Sequence, residues 1–412
     1  MAAPPDNHSP GRPARAPMPA GVVALGMVSL FMDTSSELIH SLLPIFVVST
    51  LGASTALFGL MEGVAESTAL ITKVVSGAVS DRFRRRKPLA LLGYGLAAAT
   101  KPLFALAPSF VVVFGARLLD RLGKGIRGAP RDALIADITP TELRGAAYGL
   151  RQSLDSVGAL LGPLLALGLM VLLGSDISAA FWVAVVPAAL SLLTLAAFVR
   201  EPEHDAPEGD GRWPIRREAL ARLGGPYVRV VVLGAVLTLA RFSEGFLILR
   251  ATDLGIEAAL APLVMVGMNA VYAGSAYPLG MLSDRVGRRA LLLLSALVLA
   301  GADVALALAD SPALLAVGVT LWGLHMGMSQ GLLSALVADA AAPDLRGTAF
   351  GLFNLVSGVA MLGASVTAGV LWDRVGPAAC FLVAGGFALI AGVGLWLHAR
   401  RAAAGGAQNG AQ

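Results

Sequence analysis

Charged side chains interrupt the apolar runs of this chain, and the densest group lies in "RLLDRLGKGIRGAPRDALIAD", residues 117–137. On an α-helix at about 100° per residue, seven of the eight charged residues in this segment fall within an arc of about 140°. A loop would show no such arc, so the pattern predicts a helix with one charged face. The alternative is that Arg127 to Asp137 form only a helix end, where long side chains reach water.

Acidic residues in other apolar runs share helix faces in the same way. Asp33 and Glu37 lie four residues apart, as do Glu62 and Glu66, and this spacing brings side chains together on a helix. A carboxylate among apolar and basic groups can bind either a proton or a cationic solute, which is the chemistry of coupled exchange. Each charge could instead belong to a buried ion pair that only aligns helices. The expected proton-coupling and cavity residues are Asp33, Glu37, Glu62, Glu66, Lys73, Arg117, Asp120, Arg121, Lys124, Arg151 and Asp155.

The elements that must position these residues are membrane-spanning helices. Hydrophobic residues make up 56% of the 412 residues and charged residues only 14%, whereas a soluble domain is about a quarter charged. A spanning helix needs about 20 mostly apolar residues. Twelve runs satisfy this requirement, so we expect an all-α membrane protein with spans at 21–48, 57–79, 88–107, 110–136, 147–172, 178–199, 227–249, 261–282, 289–309, 312–338, 349–372 and 377–398.

The connections between these spans predict an orientation. Even-numbered connections such as "SDRFRRRK" are basic, whereas odd-numbered ones such as "STLGAST" are short and carry few charges. The positive-inside bias therefore places both termini in the cytoplasm. Only four of the 31 basic residues are Lys, which favours a GC-rich bacterial source, so we expect a multi-pass protein of the bacterial inner (plasma) membrane. The expected organisation is a disordered tail at 1–20, a six-helix bundle at 21–199, a cytoplasmic linker at 200–226, a second six-helix bundle at 227–398 and a disordered tail at 399–412.

The sequence also repeats itself at half-chain spacing. "ADITPTELRGAAYGL" (136–150) matches "ADAAAPDLRGTAFGL" (338–352), and "GAVSDRFRRRK" (77–87) matches "GMLSDRVGRRA" (280–290). Parallel repeats of six helices are a transporter architecture in which the site lies at the midplane between the halves. From the second half we therefore expect solute contacts from Arg241, Glu244, Asn269, Tyr272 and Gln330.

These doubled segments resemble the signature of the major facilitator superfamily, and the likeness covers nearly the whole chain. The resemblance implies two pseudo-symmetric six-helix bundles that work by alternating access. In the first copy Arg84 stands where the family usually has Gly, whereas the second copy is intact. The resemblance also implies a cytoplasmic gate, for which the candidates are Asp81, Arg82, Arg85, Asp137, Asp284, Arg285 and Arg288.

Two further motifs resemble those of drug/proton antiporters in this family. Arg121, Lys124 and Gly125 are similar to a proton-linked motif of the fourth helix, although Lys124 replaces the usual Gln. The fifth helix resembles the antiporter motif, with ordinary packing of small residues as the alternative. Its expected conformational residues are Gly149, Gly158, Gly162 and Pro163. The resemblance thus implies proton-coupled export of a small organic solute or drug.

Other functions fit the sequence less well. A proton symporter or uniporter that imports a small metabolite could use the same fold, whereas a channel, a receptor or a membrane enzyme is a more distant alternative. There is no HExxH motif, no phosphate-binding glycine loop and no recognisable Ser/His/Asp set, so we expect no enzyme activity, catalytic residue, cofactor or metal.

The expected partners are a small-molecule solute, protons and the lipid bilayer, without nucleic acid. The chain is expected to be a monomer, and the balance of acidic and basic residues leaves the charge of the solute open.

Overall fold

The computed structural model describes residues 18–83, 85–201, 222–342 and 345–409. In these ranges the regular elements are helices that form twelve consecutive spans, so the all-α architecture predicted from the sequence is confirmed. The predicted linker, apart from its ends, and residues 1–17 lie outside the described residues. The principal helices are α1 (Ala20–Ile45), α2 (Thr55–Phe83), α3 (Arg86–Ala105), α4 (Phe110–Ile138), α5 (Arg144–Leu172), α6 (Ile177–Val183), α7 (Val185–Phe198), α8 (Gly225–Leu239), α9 (Gly245–Asp253), α10 (Leu263–Val286), α11 (Arg288–Leu308), α12 (Pro312–Ala340), α13 (Arg346–Arg374) and α14 (Pro377–Asn409).

The seventh span is the clearest departure from a simple helix. We expected one helix over 227–249, but α8 ends at Leu239 and α9 begins at Gly245. The break contains Arg241, Ser243 and Glu244, and Gly245 lies against Phe58 of the first half, where an added Cβ would be 2.5 Å from the ring. Discontinuous helices of this kind place polar side chains and backbone at the centre of a transporter.

Composition alone identifies fewer spans than the architecture contains. In the described part of the chain, seven helical segments are long and apolar enough to cross a membrane on those criteria. The helices α2, α3, α4 and α10 are outside this set, as is the divided seventh span. The first three of these helices carry the buried charges of the first half, which reduce their apolar character without removing them from the bundle.

Helix pairing follows the sequence repeat. In the first half α4 packs against α2 and α3, and in the second half the equivalent helix α12 packs against α10 and α11. The helix α1 packs along α5. The halves meet through α2 with α13, α5 with α10, and α1 with α9. We call the end of the molecule that carries the even-numbered connections the basic end, and the opposite end the outer end.

The two halves are in close contact at the outer end. Asp373 of α13 accepts hydrogen bonds from the backbone amides of Thr55 and Ala56, at 3.1 and 2.8 Å. A Cβ on Gly369 would lie 2.5 Å from the Thr55 carbonyl oxygen. Small residues therefore let α2 and α13 approach closely, and the carboxylate of Asp373 binds otherwise unpaired amides at the start of α2.

The carboxyl-terminal tail corrects one expectation. Residues 399–412 were expected to be disordered, but α14 continues through Asn409. The segment "ARRAAAGGAQN" is rich in Ala and Arg, which have high helix propensity and can extend a preceding helix.

The contact between α1 and α5 yields a stability prediction. A Cβ on Gly162 would lie 2.8 Å from both the Leu38 nitrogen and the Thr34 carbonyl oxygen, whereas Gly149 has open space around it. We expect Gly162→Ala to be destabilising by about 1–3 kcal/mol through overpacking and to lower the thermal unfolding midpoint of the purified protein in detergent. Gly149→Ala is the control and should leave the midpoint unchanged or raise it, because Ala favours helix over Gly. Equal midpoints for the two variants would contradict the close approach of α1 and α5.

Candidate transport site

A charged cavity of about 370 Å³ lies between the two halves, in the part of the bundle towards the basic end. Most of its lining comes from α1, α2, α4 and α5, and α10 contributes Tyr272. The charged side chains of the lining are balanced, since Asp33, Glu37, Glu66 and Asp155 face Lys73, Lys124, Arg127 and Arg131. A cavity of this composition can bind a solute that carries both signs of charge.

A second cavity of about 350 Å³ adjoins the first and shares Gln152 and Tyr272 with it. Its remaining lining comes from α10 and α12 and is apolar or small. Met326, Met328 and Leu332 are among these residues, and methionine adapts to apolar groups of varied shape. The two cavities together have a charged wall on the first half and an apolar wall on the second half.

Behind the charged wall lies a cluster of ionised side chains, formed by Glu62, Lys101, Arg117, Asp120 and Arg121, which we call the buried cluster. Arg117 donates two hydrogen bonds to Glu62, at 2.7 and 2.9 Å. Lys101 donates to Asp120 at 2.9 Å and to the Ser36 hydroxyl at 3.0 Å. All five side chains of the cluster are almost fully buried. Charges in such a setting are stable only when paired, so these contacts fix α2, α3 and α4 to one another.

Glu66 and His40 connect the buried cluster to the charged cavity. Glu66 lies 3.3 Å from Arg121 and 3.6 Å from Arg117, and 28% of its side chain is exposed. The two ring nitrogens of His40 lie 3.4 Å from Glu37 and 3.6 Å from Glu62. A path of titratable groups thus runs from the cavity surface to the Glu62–Arg117 pair.

The break in the seventh span brings residues of the second half into contact with Glu62 of the buried cluster. The hydroxyl of Ser243 donates a hydrogen bond to Glu62 at 2.9 Å. Glu244 of the same break interacts electrostatically with His40 and Glu37 across the interface between the halves. Farther along this interface, the side-chain amide of Asn269 donates to the Ala159 carbonyl oxygen at 3.0 Å.

The structure divides the predicted coupling residues into two groups. The first group lines the charged cavity and consists of Asp33, Glu37, Glu66, Lys73, Lys124 and Asp155. The second group, expected in the cavity, is instead buried in ion pairs and consists of Glu62, Arg117, Asp120 and Arg121. Arg151 pairs with Asp155 at 2.6 Å.

The predicted solute contacts of the second half are also divided. Tyr272 lines both cavities, and Asn269 is bound to backbone. Arg241 and Glu244 lie in the break of the seventh span, where they interact electrostatically with each other. The side chain of Gln330 lies outside the described part of the structure.

Sequence reasoning missed Lys101 and Ser243, and did not include His40 among the site residues. Lys101 is the single charge in the third apolar run, which was a usable signal for a buried partner. Ser243 gave no signal, because a serine in an apolar run is common and its partner Glu62 is distant in sequence.

The gate candidates form ion pairs that repeat between the halves. Asp137 pairs with Arg86 at 2.6 Å, and Asp339 pairs with Arg288 at 2.5 Å. Each pair lies within one half, and the second is displaced from the first by 202 residues. Arg85 and Arg285 are exposed, whereas the side chains of Asp81, Arg82 and Asp284 lie outside the described residues. Gly287 has a φ of 87°, a backbone angle that favours glycine in this turn.

The small residues of α5 pack as a helix contact. A Cβ on Gly158 would lie 2.6 Å from the Leu30 carbonyl oxygen, and Pro163 is buried within the helix. Gly149, at the basic end, makes no comparable approach. In the described ranges, no three His, Cys, Asp or Glu side chains are arranged to hold a metal ion.

Two repeated six-helix halves with a charged cavity between them define the fold of a secondary transporter. The chain matches the Major Facilitator Superfamily model over residues 23–249 and 230–412, and it belongs to this family. The protein is therefore a multi-pass membrane transporter of small solutes and not an enzyme.

Three known proteins illustrate the likeness. An "uncharacterized MFS-type transporter" of Methanocaldococcus jannaschii is 33% identical over 380 residues, covering 90% of this chain and 93% of the relative. The multidrug resistance protein MdtH of Yersinia enterocolitica is 32% identical over 128 residues, which is 31% of this chain and 32% of that protein. The crystal structure of a POT family transporter in complex with a thioalcohol conjugated peptide matches with a TM-score of 0.78 at 12% identity, covering 92% and 96% of the two chains.

The buried cluster yields a second stability prediction. Lys101→Met removes the ammonium group from Asp120, and loss of one partner from a buried ion pair costs about 3–5 kcal/mol. We expect a lower thermal unfolding midpoint in detergent, with partial recovery when Asp120→Asn is added. Arg288→Met breaks the exposed pair with Asp339 and serves as the control, since exposed pairs contribute about 0–1 kcal/mol. Similar losses for Lys101→Met and Arg288→Met would argue against a structural role for the Lys101–Asp120 pair.

Proposed function

We propose that the protein is a proton-coupled antiporter that exports a small amphipathic organic solute. The observation that carries this proposal is the composite cavity, with a charged wall on the first half and an apolar wall on the second. A solute that fills both parts needs an ionised portion near Glu37 and Glu66 and an apolar portion near Met326. Such a solute combines features of a zwitterion and of a hydrophobic drug.

The exposure of Glu37 and Glu66 supports proton coupling at these two residues. Their side chains are 19% and 28% exposed, whereas Glu62 is only 1% exposed. A proton or a solute can therefore reach Glu37 and Glu66 from the cavity. Protonation of Glu66 would remove the negative charge that Arg121 contacts, and Arg121 would then be available to other groups. Competition between a proton and a solute for the same carboxylates is the chemistry that an exchanger requires.

The hydrogen bond between Ser243 and Glu62 supports a link from this chemistry to the conformational change. Arg117 connects Glu66 to Glu62, and Glu62 accepts the hydrogen bond from the seventh span. A change in the charge of Glu66 would redistribute the contacts of Arg117. The contact between the halves at Ser243 would then strengthen or weaken with the protonation state.

The direction of transport rests on three observations. The cavity lies towards the basic end, which the charge bias assigns to the cytoplasm, so the solute would enter from the cytoplasm. The glycine pattern of α5 resembles that of drug exporters. The partial likeness to a multidrug resistance protein over 128 residues also favours export. Export of the solute in exchange for protons is consistent with all three observations.

The coupling residues can be tested in proteoliposomes. We expect Glu37→Gln and Glu66→Gln each to reduce proton-driven efflux at least about tenfold, because a lost interaction of about 1.4 kcal/mol or more has this effect. Solute counterflow without a pH gradient should persist in at least one of the two variants. Glu257→Gln, an exposed acid distant from the cavity, is the matched control and should behave as wild type. Normal pH-dependent exchange in both cavity variants would exclude these coupling sites, and uptake with protons would favour the symporter alternative.

The apolar wall can be tested with a homologous series of zwitterionic solutes that differ in alkyl chain length. Each buried methylene contributes about 0.8 kcal/mol, so KM should fall about fourfold per added methylene until the second cavity is full. Met326→Ser should weaken this dependence with little effect on the shortest solute. A KM that does not vary with chain length would show that the second cavity does not hold the solute.

A further inference from the structure

A further cavity, larger than the charged one, is separate from the transport site. It has a volume of about 840 Å³ and lies at the basic end of the second half. Its lining comes from α8, α11, α12 and α14 and from the turn between α10 and α11. The proposed transport mechanism uses none of these residues for binding the solute or the proton.

This basic-end cavity is amphipathic. Its interior is lined by leucines, among them Leu233, Leu336 and Leu395. Arg229, Arg288 and Arg289 lie among the lining residues at the helix ends. Arg288 is paired with Asp339, whereas Arg229 and Arg289 are exposed and have no acidic partner within the described ranges. Within the described part of the chain, two positive charges therefore lie beside a large apolar volume.

The equivalent region of the first half is packed differently. There a packed core that includes Leu25, Tyr94 and Leu195 fills the space between the corresponding helices. The Glu201 carboxylate accepts hydrogen bonds from the backbone amides of Arg86 and Lys87 at the start of α3, where Arg86 corresponds to Arg288. The residue 202 positions after Glu201 is Ala403, which has no carboxylate. In the second half the corresponding leucines form a smaller cluster around Leu292 and Leu395 and leave the cavity open, and Arg288 is paired with Asp339 instead of a counterpart of Glu201.

We propose that this cavity binds an anionic phospholipid from the facing leaflet of the bilayer. Its phosphate would contact Arg229 and Arg289, and one acyl chain would occupy the volume between the leucines. Basic pockets between spanning helices near the cytoplasmic surface are suited to anionic lipid headgroups. A free phosphate ion would leave the apolar walls without contact, and a zwitterionic lipid would bring an ammonium group close to the two arginines together with its phosphate, so that no net counter-charge is supplied. Phosphatidylglycerol satisfies both requirements.

The test measures lipid binding to the purified full-length protein in detergent, by native mass spectrometry and by the shift of the thermal unfolding midpoint. Phosphatidylglycerol should bind and raise the midpoint, whereas phosphatidylethanolamine and inorganic phosphate should do neither. The double variant Arg229→Gln/Arg289→Gln should bind phosphatidylglycerol about 30-fold more weakly, since each basic residue near the surface contributes about 1 kcal/mol. Leu336→Trp keeps both arginines but fills the interior, and it should also lose the shift.

The matched control is Arg144→Gln/Arg200→Gln, which removes two exposed arginines from the basic end of the first half and should bind phosphatidylglycerol as wild type does. Equal weakening in the control and in Arg229→Gln/Arg289→Gln would show that only total charge matters, and would overturn the proposal. An equal shift with phosphatidylethanolamine, or the full shift with inorganic phosphate alone, would also overturn it.

Discussion

The pairing of Glu62 with Arg117 is the interaction on which the first half of this transporter depends. Both side chains are 1% exposed, and an isolated charge at this depth would destabilise the helix that carries it. Their two hydrogen bonds are possible only if α2 and α4 approach closely. Gly125 allows that approach, since a Cβ at this position would lie 2.6 Å from the Thr72 Cβ. The close approach of α2 and α4 therefore depends on both features. Gly125 makes room for the approach, and the Glu62–Arg117 pair needs it to form.

The acidic residues of the first half differ in how closely they are paired. The Glu62–Arg117 and Lys101–Asp120 pairs are short, well aligned and shielded from the cavity. Glu66 has longer contacts, to two arginines that also have other partners, and part of its carboxylate faces the cavity. A group of this second kind can gain or lose a proton without leaving a buried charge unpaired. Under the coupling proposed above, the firm pairs of the buried cluster would keep the helices in place while Glu66 beside them changed its charge.

The sequence predicted the twelve spans, the two repeated halves and the charged face of the fourth helix, because hydropathy and helical periodicity are local properties. It did not distinguish Glu62 from Glu66, although the two lie one turn apart on the same face. Periodicity gives the direction of a side chain around its helix but not which neighbouring helix it meets. For the same reason Lys101 was missed as the partner of Asp120. The break at Ser243 depends on packing against Phe58 and Pro44, which belong to the other half.

The two halves share a fold but differ in the side chains buried inside them, and this difference matters for alternating access. The first half contains the buried cluster, and the ion pairs described above each lie within one half. Across the interface, the contacts at the centre are hydrogen bonds, such as those from Ser243 to Glu62 and from Asn269 to Ala159. A hydrogen bond contributes about 0.5–3 kcal/mol, depending on whether a partner is charged, whereas breaking a buried ion pair costs about 3–5 kcal/mol. Strong charge pairing inside one half and weaker bonding between halves is the distribution that lets two rigid bundles separate and rejoin without either losing its own packing.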